Sequence, residues 1–327
     1  MLNYILKRFT YMLILVIVMS FLTFIIINLP PGDYLTTYVN RLKASGTSID
    51  QSAIRSLERR YGLGKPFHLQ YYGWVKGMFR GDFGDSFSWG RPVLDMILNY
   101  LPYTVLLVLS STIFVYLVSI PIAIYSATHQ YSIGDYLATT FGFLGLAIPN
   151  FLFALVLMYF LYTYMGIETG GLLSQEYQDA AWNIDKIINL FQHLIPAVIV
   201  IGTAGTAGLI RTLRGTMLDE INKLYVTVAR SKGLAYWRLL FKYPVRIALN
   251  PVLSSIGYIL PQLVSGGAIV SIVLNLPTLG SVLYNALLSQ DMYLAGTIIL
   301  FQTILIFIGT FISDMLLVWS DPRIKFE

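Results

Sequence analysis

Few residues in this chain could make or break bonds, and those few are scattered. The three histidines, His68, His129 and His193, stand far apart, without the H-E-x-x-H spacing that sets two imidazoles on one helical face for a metal. No Cys occurs, which excludes disulfides, thiolate metal sites and Cys nucleophiles together. Neither a G-x-S-x-G elbow nor a G-x-x-x-x-G-K-[ST] phosphate loop is present. The expectation is a protein that is not an enzyme, carries no ATPase motif, and holds no cofactor or metal. Asp82 and Asp85 could be offered as a carboxylate pair, but their Gly neighbours make a turn the better account. The run GTAGTAG from Gly202 to Gly208 lies inside an apolar segment and follows no strand. Small residues at that spacing let helix backbones approach closely in lipid. What remains is a set of polar side chains at membrane depth beside helix breakers. They are Asn150 next to Pro149, Thr203 and Thr206 within the Gly run, and Gln262 and Ser265 between Pro261 and Gly266-Gly267. Freed backbone there is tolerated where it packs in protein or faces a water-filled cavity, so these five are candidates to line a path.

The elements that must position them are membrane helices. Of 327 residues, 56% are hydrophobic and only 12% charged, where soluble domains carry about 25% charged residues. The net charge of +5 sits mostly beside apolar segments, so it is assigned to topology and not to nucleic acid. Phe9 to Leu29 is uncharged and follows Lys7-Arg8, which reads as an uncleaved anchor with a cytoplasmic N-terminus. Residues 30–98 form a polar extracytoplasmic insertion, too long for its cations to override that orientation. Within it, Ser48 and Gln51 suggest a capping box before Ile54, Leu57 and Tyr61. A second amphipathic piece carries Leu69, Tyr72, Val75 and Phe79, and a Gly-rich turn leads to Pro92 at a helix start. A second span is expected from about Leu101 to Thr128, kinked at Pro121. A third runs from Tyr136 to Ile167 with Pro149 near its middle, a fourth from Ile187 to Ile210, a fifth within 247–290 ending near Pro277, and a sixth from Met292 to about Trp319. The loop with Glu168, Glu176, Asp179 and Asp185 belongs outside. The fold class is therefore all-α membrane protein with six transmembrane helices and both termini cytoplasmic. Residues 1–29 form the N-terminal end and helix 1, 99–320 the core, and 321–327 a cytoplasmic tail. Apart from Asp314 the spans are empty of charge, and a proton- or ion-coupled carrier usually needs such residues. Energy must then come from a partner, or there is none.

The densest basic stretch falls between spans four and five. From Arg211 to Arg246 there are eight Lys/Arg and two acids, Asp219 and Glu220, which marks a cytoplasmic loop. Leu224, Tyr225, Val228 and Ala229 recur at helical spacing, Arg230 and Lys232 sit in the last turn, and Gly233 supplies the left-handed stop. A second short helix is expected from about Ala235 to Tyr243, with Trp237, Leu240 and Phe241 apolar. Two amphipathic helices outside the bilayer can lie on the membrane surface or dock in a groove on a partner.

This loop, 214–246, resembles the EAA motif of ABC-importer permeases, with the Ala-x-x-x-Gly core present as Ala229 and Gly233. The oligopeptide/dipeptide branch commonly reads YVRTARAKGL where this chain reads YVTVARSKGL. Tyr61-Gly62-Leu63 with Lys65-Pro66, then Arg80-Gly81-Asp82-Phe83-Gly84 and Gly90-Arg91-Pro92-Val93, resemble the outer segment of the same branch, and Asp321-Pro322-Arg323-Ile324 its common ending. The resemblance implies a permease subunit of a binding-protein-dependent importer in a bacterial or archaeal cytoplasmic membrane. It implies four kinds of partner: a second homologous permease, two cytoplasmic ATPases, an extracytoplasmic substrate-binding protein and the lipid bilayer. Coupling to the ATPases would fall to Tyr225, Val228, Ala229, Gly233, Leu234 and Trp237. Oligopeptides or dipeptides are the expected solutes, with oligosaccharides, nickel or glutathione as the alternative within the same machinery. The reading from a different class is a partner-free channel or a scaffold whose basic loop lies on anionic lipid.

Overall fold

The computed structural model describes residues 2–28, 65–86, 88–167, 170–178 and 180–320. The helix expected after Ser48 and the tail 321–327 lie outside the described residues. Helix α1 spans Leu2–Asn28, α2 Phe67–Met78, α3 Val93–Thr128, α4 Ile133–Ala147, α5 Asn150–Met165, α6 Gln175–Gln178 and α7 Ile184–Ile221. Then come α8 Leu224–Ser231, α9 Tyr236–Lys242, α10 Pro244–Val273, α11 Leu279–Leu288 and α12 Met292–Ser320. A two-stranded antiparallel ribbon, β1 Asp85–Ser86 and β2 Arg91–Pro92, precedes α3. Among the described residues four helices are long and apolar enough to cross a membrane: α1, α3, α7 and α12. A fifth is added if α4 and α5 count as one span. The chain is thus a largely helical multi-pass membrane protein, and α10, 30 residues long, occupies the place of the expected fifth span.

Two expectations need correction. The span drawn from Tyr136 to Ile167 is two helices bent by 106°. Pro149 has no N–H to donate, and Ile148 before it takes the extended backbone that a following proline favours, φ −85° and ψ 122°, so helix α4 stops there. The span expected from about Leu101 belongs to a longer helix, α3, which begins at Val93, one residue after the start expected at Pro92, and continues as α-helix through Pro102 and Pro121.

Residues of 1–102 and 281–305 form one compact unit and those of 103–280 and 306–327 another. In the first, α2 packs on α1 through aromatic rings: Phe24 stacks on Trp74 at 5.4 Å between ring centroids and meets Tyr71 at 5.5 Å, while Tyr71 and Ser20 hydroxyls hydrogen-bond at 2.7 Å. The face in use is therefore Phe67, Tyr71 and Trp74. Leu69, Tyr72 and Phe79, expected to be the packed face, are exposed. That face packs because its rings meet partners on α1, where Phe24 lies against Phe67, Tyr71 and Trp74. Asp82 and its glycines do form turns: Gly84 N–H donates to Asp82 Oδ1 at 2.9 Å, and Gly81 and Gly84 hold φ of 77° and 84°. The ribbon is tied to the start of α12 by the fully buried Asp291. Its carboxylate accepts from Ser86 Oγ at 2.6 Å, Ser88 N at 3.1 Å and Leu294 N at 3.3 Å.

In the second unit α7 is the central helix, with α3, α4, α5 and α10 around it. The small residues of the Gly run make the approach possible. A Cβ on Gly202 would come within 2.5 Å of the Phe114 ring, and one on Gly205 within 3.1 Å of Val115. Ser119 Oγ then donates to the Thr206 carbonyl at 3.2 Å. Gly208, one turn on, has open space.

Overpacking a tight site costs about 1–3 kcal/mol. Gly202→Val is expected to lower stability by about that much, whereas Gly208→Ala is expected to be neutral or slightly stabilising through helix propensity. Thermal unfolding of the purified variants in detergent checks this. Equal melting temperatures for both would refute the close-packing account.

Candidate functional site

The basic loop folds as a helical pair with its own small core. Val226, Ala229 and Leu239 are buried against one another, flanked by Tyr225, Leu234 and Tyr243. Val226 and Ala229 lie three apart, hence on one face of α8, and Gly233 at φ +75° turns the chain so that α9 can return over that face. Of the six residues expected to couple to a partner, Ala229 is interior, Tyr225 and Leu234 are half-buried, and only Val228 and Trp237 among the large apolar ones are exposed. Leu224, Tyr236 and Phe241 are exposed as well. Ala229 therefore holds the two helices together and presents no outward surface. The small side chain is what lets α9 come close.

The root of the loop is fixed by Glu220, the buried residue one position from the end of α7. Its carboxylate accepts from Lys223 Nζ at 2.5 Å and from the Tyr225 hydroxyl. Burial, together with that carboxylate, pushes the Tyr225 phenol well above its usual range, so it stays a neutral donor. Lys223 takes extended backbone at the N-cap of α8. Tyr225 also meets Tyr243 with ring centroids 6.3 Å apart, and Pro244 starts α10 directly afterwards.

Farther back on α7, Arg214 grips α4. Its Nε donates to Asp135 Oδ1 and its Nη2 to Asp135 Oδ2, both at 2.9 Å, and Nε also reaches Ser126 Oγ on α3 at 3.0 Å. Ser126 Oγ in turn donates to Asp135, whose second oxygen accepts from Tyr131 N at 3.0 Å. One carboxylate so joins α3, α4 and α7. The sequence reading passed over this trio, yet Ser132-x-x-Asp135 carried a signal. That spacing opens a helix, and Ser132 does cap α4, accepting from Asp135 N at 3.2 Å. The ion pair itself had no local signature, because its partners lie 79 positions apart.

The path candidates with described side chains sit on two helices, Asn150 on α5 and Thr203 with Thr206 on α7. Asn150 is the first residue of α5 and half-buried. Thr203 donates to the Ile199 carbonyl at 2.5 Å, and its Cγ2 would lie 2.9 Å from a Cβ on Gly145 of α4. Thr206 is buried against α3. Gln262 and Ser265 fall within α10, with side chains outside the described residues. The histidines are dispersed: His68 is exposed, the His129 ring stacks on Tyr125 at 4.6 Å, and His193 is buried 3.0 Å from Ser174 Oγ. That last contact, with Asn189 Oδ1 accepting from Ser174 N at 2.9 Å, straps the segment after α5 onto α7. The strap also donates from Gly171 N to the Leu274 carbonyl at 2.8 Å.

Comparison with known proteins adds a family. Residues 119–326 match the family described as binding-protein-dependent transport system inner membrane component, and residues 1–108 match the N-terminal region of the same membrane components. Among similar chains is the oligopeptide transport system permease protein AppB of Bacillus subtilis, 35% identical over 326 residues with 99% of each chain covered. The dipeptide transport system permease protein DppB of Alkalihalophilus pseudofirmus is 28% identical with 100% of each covered. The peptidoglycan transport system permease protein YejB of Agrobacterium fabrum is 27% identical with 99% of this chain and 98% of its own length covered.

Removing one partner of a buried ion pair costs about 3–5 kcal/mol, toward the lower end here because the Arg214 side chain keeps 27% exposure. Asp135→Ala is expected to destabilise by about 3 kcal/mol, with Asp135→Arg/Arg214→Asp recovering part of the loss. A hydrogen bond to a charged group contributes about 1.5–3 kcal/mol, so Tyr225→Phe should cost about that, and the Tyr225→Phe/Glu220→Gln double variant should lose less than the sum of the two single losses, the remainder being the Lys223 contact. Denaturant or thermal unfolding of the single and double variants measures both, and additive losses at either pair would contradict the contacts described.

Proposed function

We propose a function from the premise that this chain belongs to the family of binding-protein-dependent transport system inner membrane components, the permease subunits of ABC importers. It is the membrane path for peptides, delivered by an extracytoplasmic binding protein and driven by separate ATPase subunits. It works beside a second homologous permease in a bacterial or archaeal cytoplasmic membrane. The peptide assignment is supported by the oligopeptide, dipeptide and peptidoglycan solutes in the names of its relatives, all of which contain peptide.

The observation that carries the mechanism is the helical pair of the basic loop. It has an internal core at Val226, Ala229 and Leu239, leaves Val228 and Trp237 on the outside, and is anchored at its root by Glu220. A body built this way moves as a unit. Docked in a groove on an ATPase, it passes the closure of that partner to α7 and α10, which enter and leave it. The change of opening is then a population shift set by the partner's nucleotide state. Tyr225, Ala229, Gly233 and Leu234 serve by holding the pair in shape, Val228 and Trp237 by contact. Asn150, Thr203, Thr206, Gln262 and Ser265 are assigned to the neighbourhood of the path, with Thr206 supporting it through packing.

Val228→Glu places a charge on the outer face without touching the loop's core. It is expected to lower peptide uptake at least tenfold and to release the ATPases during purification, while the protein melts at the wild-type temperature. Gly233→Pro is expected to lose uptake through the fold of the loop itself. Uptake assays in whole cells and co-purification with the ATPases measure both, and normal uptake by Val228→Glu would overturn the docking assignment.

A further inference from the structure

A cavity of about 270 Å³ opens between α4 and α7, walled by Phe143, Leu146, Ala207 and Ile210 and ended by two arginines, Arg211 and Arg214. The charges there are not balanced. Asp135 engages Arg214 through Nε and Nη2, and a guanidinium has five N–H donors, so the two on Nη1 are outside that pair. Arg211 is exposed and has no carboxylate within 4.0 Å among the described residues. Two guanidiniums against one carboxylate leave a net positive end. The opposite wall is apolar and does not stop at the cavity, since Phe141, Phe143, Leu144 and Leu146 are all exposed along α4.

A cationic end joined to a continuous apolar wall suits one chemical class, an anionic amphiphile. A free phosphate would gain nothing from Phe143 and Leu146, and a neutral apolar group would desolvate the arginines without pairing them. Basic pockets between transmembrane helices on the cytoplasmic side take anionic headgroups, and bidentate or forked pairing to phosphate is the geometry arginine offers. We propose that this cavity binds the headgroup phosphate of an anionic phospholipid, with an acyl chain laid along Phe143 and Leu146. The leaflet concerned follows from the topology under the proposed function, which places the basic loop in the cytoplasm. A lipid held there bridges α4 to the last turns of α7, next to the root of the basic loop.

Two substitutions separate charge from space. Arg211→Gln removes a phosphate donor that no carboxylate pairs with among the described residues. Gly142→Leu fills the cavity, because a Cβ at Gly142 meets nothing within 4 Å and leucine suits a helix better than glycine. The full chain, purified with whatever partners accompany it and stripped of lipid, is titrated with phosphatidylglycerol or phosphatidylcholine and the bound lipid is counted by native mass spectrometry. At least tenfold preference for phosphatidylglycerol is expected, falling at least tenfold in each variant. Equal retention of both lipids, unchanged retention in the variants, or occlusion of the cavity by a second membrane chain would overturn the proposal. So would displacement of phosphatidylglycerol by millimolar inorganic phosphate, which would make the site one for free phosphate. Co-purification of the ATPases is scored on the same wild-type sample, so a failed importer reading appears there and leaves the lipid count to stand or fall alone.

Discussion

The larger unit depends on how closely α7 can approach α3. In lipid there is no hydrophobic driving force between helices, so association rests on contact distance and on polar groups that find partners across the interface. Gly202 and Gly205 supply the first and Ser119 with the Thr206 carbonyl the second. Once α7 is held at that distance, Arg214 arrives where it can grip Asp135, and Glu220 where it can meet Lys223 and Tyr225. The loop's geometry is therefore set by packing that begins several turns away. Replacing the small residues would displace the whole series of contacts, not one of them.

Polar side chains in this protein work chiefly as fasteners for backbone. Asp291 joins a ribbon to a helix start, Asp135 joins three helices, and Ser174 with Asn189 and His193 closes the strap over α7. Each lies at a helix end or a turn, where unpaired backbone groups would otherwise be stranded. None gathers with others of its kind into a reaction centre.

Much of this was legible in the sequence, for identifiable reasons. Helix periodicity, the last-turn cations and Gly233 located α8, the turn and α9 within a residue or two, because each signal is local. The reading of Gly202–Gly208 as a packing surface also stood on local spacing. What escaped was pairing at a distance. Which face of α2 would pack depended on Phe21 and Phe24 of α1, whose rings meet those of Phe67 and Tyr71, and apolar spacing alone chose Leu69 and Tyr72 in place of Phe67, Tyr71 and Trp74. The Ala-x-x-x-Gly resemblance marks Ala229 for coupling without saying whether its side chain faces an external groove or an internal contact. Only the position of Leu239 decides between the two. The five path candidates were chosen for polarity beside breakers, a rule that finds loosened backbone without saying what faces it.

The corner between α4 and α5 has a consequence of another kind. Where α4 ends at Ala147, the last carbonyls of the helix have no N–H to receive, and Pro149 removes one more donor from the chain that follows. The turn back is limited to Ile148 N donating to Leu144 and Phe153 N to Pro149. Hydrocarbon cannot satisfy the rest, so the corner draws water to itself or borrows donors from a neighbour. A bend of this kind is thus a place where water or a neighbouring chain has to supply the donors that the end of α4 lacks.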